Sequence, residues 1–373
     1  MNVIFTCGGT AGHINPAIAV ANILKERDPN CKILFIGAKG HMEEKLVPQA
    51  GYELKCLPGS GLVRGKSLKA LKKNAKVITD LTGSIKQCKQ IIRDFKADVI
   101  VGTGGYASFP ALYAGSKLKV PTCVHESNAV PGLTTKMAAN RADRVLVCFE
   151  ESAKYYRHPE KVEVVGMPVR KEFISTQKEQ ARKELGLDQR PLVVSAFGSL
   201  GARAMNYAMA DFMKLEQAAG MPFQHIHATG SYGWQWMPEH LKTLGIQDGN
   251  GLDVREYIYN MPTVMAAADV IIGRSGASTC NEIGASGTPC ILIPSPNVTN
   301  DHQMKNARIL ADRGGAVLIP EAEDMGQKLY DAVNELLADQ KRQDQMSKIL
   351  KDMVVLDSAE RICDMIQQLA QRK

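Results

Sequence analysis

No apolar run in this sequence approaches the roughly 18 residues that a membrane-spanning helix needs. The opening residues Met1–Thr6 carry neither a basic segment nor a long apolar core, so no secretory leader is expected and the chain should stay in the cytoplasm. Nine cysteines (Cys7, Cys31, Cys56, Cys88, Cys123, Cys148, Cys280, Cys290 and Cys363) form no Cys-x-x-Cys pair. Their odd number and their scatter through apolar segments argue against disulfides and zinc, and for small buried hydrophobes in a reducing compartment. There is no Asp-x-Asp pair and no histidine or cysteine spacing suited to a metal. A bound diphosphate would therefore be neutralised by helix termini and Arg274. Glu321, Glu323 and Asp324 form an acidic cluster that reads as a solvated loop.

What is present is a globular composition, 45% hydrophobic and 23% charged, over 373 residues, a length that favours two domains. Charge is unevenly spread. Residues 1–170 hold 25 bases against 14 acids, and residues 171–373 hold 21 against 25. Within the first half, Lys55–Lys96 holds eleven bases and two acids. In region 60–96, Leu62, Leu68, Leu71, Val77, Ile78 and Leu81 interleave with Arg64, Lys66, Lys69, Lys72, Lys73 and Lys76. That pattern suits an amphipathic element touching an anionic membrane surface, and it suits equally a helix packed on the core by the same leucines.

Short apolar segments alternate with helical ones. Strands are expected at Asn2–Thr6, Lys32–Gly37, Glu53–Leu57, Asp98–Thr103, Pro121–Val124, Arg144–Phe149 and Lys161–Gly166. The pattern restarts at Pro191–Phe197, Phe223–Thr229, Asp253–Tyr257, Val270–Ile272, Cys290–Pro294 and Ala316–Ile319. Helices are expected at Ala17–Lys25, His41–Gln49 and Ser358–Arg372, and a polar linker at Ser175–Leu187. Such alternation predicts parallel sheets covered on both faces. The fold class is α/β, with two doubly wound Rossmann-like domains facing across a cleft. The boundaries are 1–166 and 167–355, with the last helix, 356–373, packing back on the first domain.

A nicotinamide-dinucleotide fingerprint fails, because Gly8, Gly9 and Gly12 have the wrong spacing and the second strand ends without an acid. A P-loop also fails, since Ser60 stands where Gly65-Lys66-Ser67 would need a glycine. Several strands nevertheless end in glycine, histidine, glutamate, asparagine or tyrosine, and the carboxyl edge of an open α/β sheet is where ligands bind. Two loops of small residues, Gly198–Arg203 and Arg274–Thr279, lead into helices, whose unpaired N–H groups and dipole suit a phosphate. Glu282 follows the second loop, placed to accept from hydroxyls.

Taken together, Gly8-Gly9-Thr10-Ala11-Gly12-His13, Gly104-Gly105-Tyr106-Ala107-Ser108-Phe109-Pro110, His125-Glu126-Ser127-Asn128, Gly198-Ser199-Leu200-Gly201-Ala202 and Arg274-Ser275-Gly276-Ala277-Ser278-Thr279 through Glu282, with Gln303 and Asn306, resemble the motif series of the MurG family. These are the peptidoglycan N-acetylglucosaminyltransferases of GT-B fold. Ala11 and Ser127 depart from the family's usual glycine and glutamine. The resemblance implies an inverting transfer of N-acetylglucosamine from UDP-N-acetylglucosamine to the 4-hydroxyl of undecaprenyl-diphosphate-linked N-acetylmuramoyl-pentapeptide, without metal or cofactor. It also implies peripheral attachment to the cytoplasmic face of the membrane and no nucleic-acid partner.

Residue by residue, the resemblance gives the donor to Ser199, the backbone of Ile258 (uracil), Arg274, Ser275, Gly276, Ala277, Ser278, Thr279, Glu282 (ribose), Gln303 and Asn306. The acceptor falls to Thr10, Gly12, Tyr106, His125, Asn128 and Arg170. His13 leads as general base, because an imidazole of ordinary pKa, about 6.5, takes a proton at neutral pH; Glu126 is its rival. Other readings are a transferase for another lipid acceptor such as diacylglycerol, a non-catalytic UDP-sugar-binding cell-wall scaffold, and a UDP-sugar epimerase.

Overall fold

The computed structural model describes residues 1–58 and 68–372, with side chains at 11, 68–79 and 299 outside the description. Ser60, Leu62, Arg64, Lys66 and the side chains of Leu68, Lys69, Leu71, Lys72, Lys73, Lys76, Val77 and Ile78 thus lie outside the described residues. The backbone from Leu68 to Phe95 is one helix.

The chain divides into two compact units, Met1–Val169 with Val355–Lys373, and Arg170–Val354. The first holds a seven-stranded parallel sheet: β1 (Asn2–Thr6), β2 (Lys32–Ala38), β3 (Glu53–Leu57), β4 (Val99–Gly102), β5 (Thr122–Glu126), β6 (Arg144–Val147) and β7 (Val162–Val164), in the order β3-β2-β1-β4-β5-β6-β7. The second holds a six-stranded parallel sheet: β8 (Leu192–Ala196), β9 (Gln224–Ala228), β10 (Leu252–Arg255), β11 (Val270–Gly273), β12 (Cys290–Leu292) and β13 (Val317–Leu318), in the order β10-β9-β8-β11-β12-β13. The central strands are buried throughout because helices cover both faces; Val3, Ile4 and Phe5 are wholly enclosed, as are Val193, Val270 and Ile272. The final helix, Ser358–Ala370, lies along the helix Ala11–Arg27 in the first unit, where Cys363 Sγ reaches Val20 O at 3.6 Å and Arg27 pairs with Asp364.

All nine cysteines are free and eight of them are buried, as the sequence leads one to expect. Two local readings change. The helix after β1 begins at Ala11, well before Ala17, because Thr10 takes an extended cap conformation and its carbonyl accepts from His13 N and Ile14 N. His13 therefore sits in the first helical turn. The expected linker Ser175–Leu187 is mostly two short helices, Glu172–Ser175 and Lys178–Glu184. Its charges are used internally: Lys178 and Arg182 both pair with Asp269, and Arg182 also donates to the carbonyls of Asp188 and Arg190.

In each sheet the strand order reverses at one place, between β1 and β4 and between β8 and β11. Such switch points leave a crevice at the carboxyl edge. The loops Gly8–Thr10 and Thr103–Ala107 flank the first, and Gly198–Ala202 and Arg274–Gly276 flank the second.

Candidate active site

In the first unit the two loops at the switch point are knitted together. Thr103 Oγ1 donates to His13 O at 2.6 Å, and Ser108 Oγ reaches Gly104 O at 2.6 Å and Thr6 O at 3.0 Å. The approach requires glycine. A Cβ on Gly105 would stand 2.3 Å from Gly8 O, and one on Gly104 would stand 2.9 Å from His13 Nε2, with both residues at positive φ. His13 Nδ1 lies 3.0 Å from Gly8 O and 3.4 Å from Thr10 Oγ1. A carbonyl only accepts, so Nδ1 carries the hydrogen and Nε2 keeps its lone pair. Gly12 shares the same helical turn.

His125 and Glu126 close β5 and are both buried. His125 Nε2 donates to Gly166 O at 2.8 Å, and burial holds this imidazole below its ordinary pKa despite that bond. Glu126 Oε1 accepts from Asn128 N and Nδ2, each at 3.0 Å, and Oε2 from Gly132 N at 3.1 Å. Both its oxygens thus brace the loop that carries Asn128. The Tyr106 hydroxyl is buried, near Asp80 and Ser84 of the helix Leu68–Phe95. Burial, with the charge of Asp80 added, raises its pKa.

In the second unit the helix Ala277–Ser286 starts after β11 with Gly276 as its cap residue. Gly276 has no side chain to satisfy the first N–H groups, at Ala277, Ser278 and Thr279, which are left for a ligand. Ser275 is fully buried; its hydroxyl donates to Gln303 O at 2.8 Å, and Asn306 Nδ2 donates to Ser275 O at 3.1 Å. Gln303 Oε1 in turn accepts from Ser295 N at 2.9 Å. These three residues come together as a brace beneath the loop. Ser199 and Leu200 are exposed on their own loop, which is anchored by Ser231 N to Ser199 O and Tyr232 N to Leu200 O. Ile258 is buried, which fixes the backbone around it.

Glu282, one turn into the helix, is half-buried, and burial pushes its carboxyl up to about 7, with Arg170 opposing. Arg170, grouped with the acceptor residues in the sequence, thus belongs to the second unit near Glu282. Glu321 is no solvated loop residue. It pairs with Arg274, whose other guanidinium nitrogen donates to Ile293 O at 3.1 Å.

Two features were missed. Glu43, fully buried, accepts from Gly9 N at 3.1 Å and Ala38 N at 2.9 Å; nothing in Glu43-Glu44-Lys45 marks the first acid as internal. Behind the Gly198 loop, Ser195 Oγ bridges His225 Nε2 and His227 Nδ1, each at 2.7 Å, and His225 Nδ1 reaches Glu216 Oε2 at 2.9 Å, all fully buried. The alternation His225-Ile226-His227 in a strand was its available signal, since it puts both rings on one face. Among the described residues no group of three or more His, Cys, Asp or Glu side chains is arranged to hold a metal ion, and no helix is long and apolar enough to cross a membrane.

Residues 3–147 match the glycosyltransferase family 28 N-terminal domain and residues 192–362 the glycosyltransferase family 28 C-terminal domain. A protein of Acetivibrio thermocellus, named UDP-N-acetylglucosamine--N-acetylmuramyl-(pentapeptide) pyrophosphoryl-undecaprenol N-acetylglucosamine transferase, is 38% identical over 100% of this chain and 99% of its own. One of the same name from Thermoanaerobacter sp. is 40% identical over 99% of this chain and 100% of its own. The crystal structure of Acinetobacter baumannii MurG, 24% identical, superposes with a TM-score of 0.76 over 98% of this chain and 99% of its own, giving the two parallel-sheet domains their GT-B fold. With relatives matched end to end and both domain models satisfied, this chain belongs to glycosyltransferase family 28, the family of the MurG enzymes.

Proposed function

We propose that the chain transfers N-acetylglucosamine from UDP-N-acetylglucosamine to the 4-hydroxyl of undecaprenyl-diphosphate-linked N-acetylmuramoyl-pentapeptide, with inversion, making the lipid-linked disaccharide precursor of peptidoglycan. The observation that carries this reading is the full-length match to two transferases of that name. The unit 1–169 with 355–373 takes the acceptor, and 170–354 takes the donor.

The reaction is one displacement. The acceptor O4 attacks the anomeric carbon from the face opposite UDP, the O4 proton passes to His13 Nε2, and the bond to UDP breaks with its electron pair going to the diphosphate. His13 is favoured over Glu126 because its Nε2 is uncommitted while both Glu126 oxygens already accept hydrogen bonds. Charge grows on the leaving diphosphate, so the N–H groups at Ala277–Thr279, with Arg274 and the Ser199 loop, act where the transition state needs them. Glu282 accepts from the ribose hydroxyls, the Ile258 backbone reads uracil, and Gln303 and Asn306 hold the donor-sugar side through their brace on Ser275. Thr10, Gly12, Tyr106, His125 and Asn128 shape the acceptor side, whereas Arg170, in the second unit near Glu282, falls on the donor side.

The enzyme works as a peripheral protein on the cytoplasmic face, held to anionic lipid by region 60–96. UDP release with a soluble lipid-acceptor analogue tests the whole reading. Transfer only to diacylglycerol, donor binding without release, or donor conversion without acceptor would each replace it.

A further inference from the structure

The geometry points to Glu43 as a positioning residue for His13, acting through the peptide group that joins Gly8 to Gly9. This inference rests on the reading of His13 as general base and extends it to a residue outside the motif series.

The carbonyl of Gly8 and the N–H of Gly9 belong to one planar amide. Its N–H donates to Glu43 Oε2 at 3.1 Å, and its oxygen faces His13 Nδ1 at 3.0 Å. Glu43 Oε1 accepts from Ala38 N at 2.9 Å, so both oxygens receive backbone N–H groups, the bonding pattern of an ionised carboxylate. Glu43 is fully buried, and among the described residues no lysine, arginine or histidine is paired with it. Its negative charge is directed into the amide. An amide whose N–H donates to an anion has a more electron-rich carbonyl, because hydrogen bonds in a chain polarise one another. Gly8 O is therefore a strong acceptor for Nδ1–H, which fixes the tautomer and leaves Nε2 as the basic nitrogen. The imidazolium formed when Nε2 takes the acceptor proton is stabilised by the same line of dipole and charge. The arrangement does the work of a carboxylate bonded directly to a histidine, with one peptide group inserted.

Three glycines make it possible. A Cβ on Gly8 would meet Glu43 Oε1 at 2.7 Å, one on Gly105 would meet Gly8 O at 2.3 Å, and one on Gly104 would cover His13 Nε2 at 2.9 Å. Gly9, which follows this peptide, takes φ +87°, in the left-handed region that favours glycine.

The test uses full-length protein with 15N-labelled histidine, His13 being assigned by its loss in His13→Gln. In the wild type the neutral ring should show the Nδ1–H tautomer. Glu43→Gln should convert this to a mixture, with kcat at least tenfold lower and the KM for UDP-N-acetylglucosamine changed less than twofold. Thr10→Val should keep the Nδ1–H tautomer, since the 3.4 Å hydroxyl contact is not what holds it. A wild-type ring protonated at Nε2, a tautomer lost in Thr10→Val, or an unchanged tautomer in Glu43→Gln, with or without a loss of kcat, overturns the inference. Should Glu43→Gln not fold, Glu43→Asp, one methylene too short to hold both Gly9 N and Ala38 N, should show the same mixture, and an unmixed tautomer there overturns it. His13→Gln with wild-type kcat instead overturns the base reading, and with it the kinetic half of the inference, while the tautomer result stands apart.

Discussion

Arg274 and Glu321 form a part-buried ion pair, Nη2 to Oε2 at 2.5 Å, with the guanidinium held 6.0 Å above the Phe197 ring at the root of the Gly198 loop. The pair gives Arg274 one orientation before any ligand arrives, which spares the side-chain ordering that binding otherwise costs. Glu321→Ala should raise the KM for UDP-N-acetylglucosamine about tenfold, about 1.4 kcal/mol, with a smaller change in kcat. Steady-state kinetics at saturating acceptor would reveal it, and an unchanged KM would show that Arg274 needs no such brace.

With Glu282 in the proposed ribose-binding role, donor binding should depend on pH. Its carboxyl is raised to about 7, and acceptance of two ribose hydroxyls requires the ionised form. UDP affinity should therefore be constant above about pH 7.5 and fall toward tenfold per unit below about pH 6.5, measured by calorimetry. Because the folded pKa lies above the unfolded one, ionised Glu282 opposes folding as pH rises from about 4.5 to about 7, at a cost of up to roughly 3 kcal/mol. Glu282→Gln should thus stabilise the chain at pH 8 while weakening UDP binding, a paired result that urea unfolding and calorimetry would separate.

His227 sits at the end of the buried network from Glu216. Burial, then the neighbouring His225, pushes its pKa down to about 3, so the folded state excludes a proton that the unfolded chain binds below about 6.5. Stability from this group is complete above pH 6.5 and declines by about 1.4 kcal/mol per unit as pH falls toward 3. In denaturant titrations His227→Gln should flatten that slope between pH 6.5 and 5. An identical slope would place the acid sensitivity elsewhere.

Neutralising Lys69, Lys72, Lys73 and Lys76 together should weaken association with vesicles containing anionic lipid by several kcal/mol at low salt, about 1 kcal/mol per charge. Sedimentation of vesicles with bound protein would measure it. Binding that persists at low salt would remove region 60–96 from membrane attachment.

Much of the architecture was readable because the central strands are short apolar runs buried on both faces, several of them ended by glycine, and because parallel pairing demands a helix between strands. Ends were less readable. Thr10 and the helix from Ala11 were hidden by Gly12 and Pro16, which look like loop residues locally, and the charged segment Ser175–Leu187 looked like a linker because Asp269, which engages Lys178 and Arg182, lies some ninety positions away. At the candidate site, the loops Gly8–His13, Gly104–Pro110, Gly198–Ala202 and Arg274–Glu282 were legible as small-residue turns into helices.

The sequence by itself determined the two α/β halves, the places where strands end in ligand-binding residue types, and the family. These follow from periodicity and from residues adjacent in the chain. Only the tertiary structure decided which polar groups are spent on the protein itself: Glu126 on its own loop, Ser275 on Gln303, Arg274 on Glu321, and Glu43 on the Gly8–Gly9 peptide. Except for Glu126, whose partners Asn128 and Gly132 are local, each is a contact between segments that only the fold brings together, and burial then fixes the partner, because a polar group removed from water must bond to whatever the neighbouring element presents.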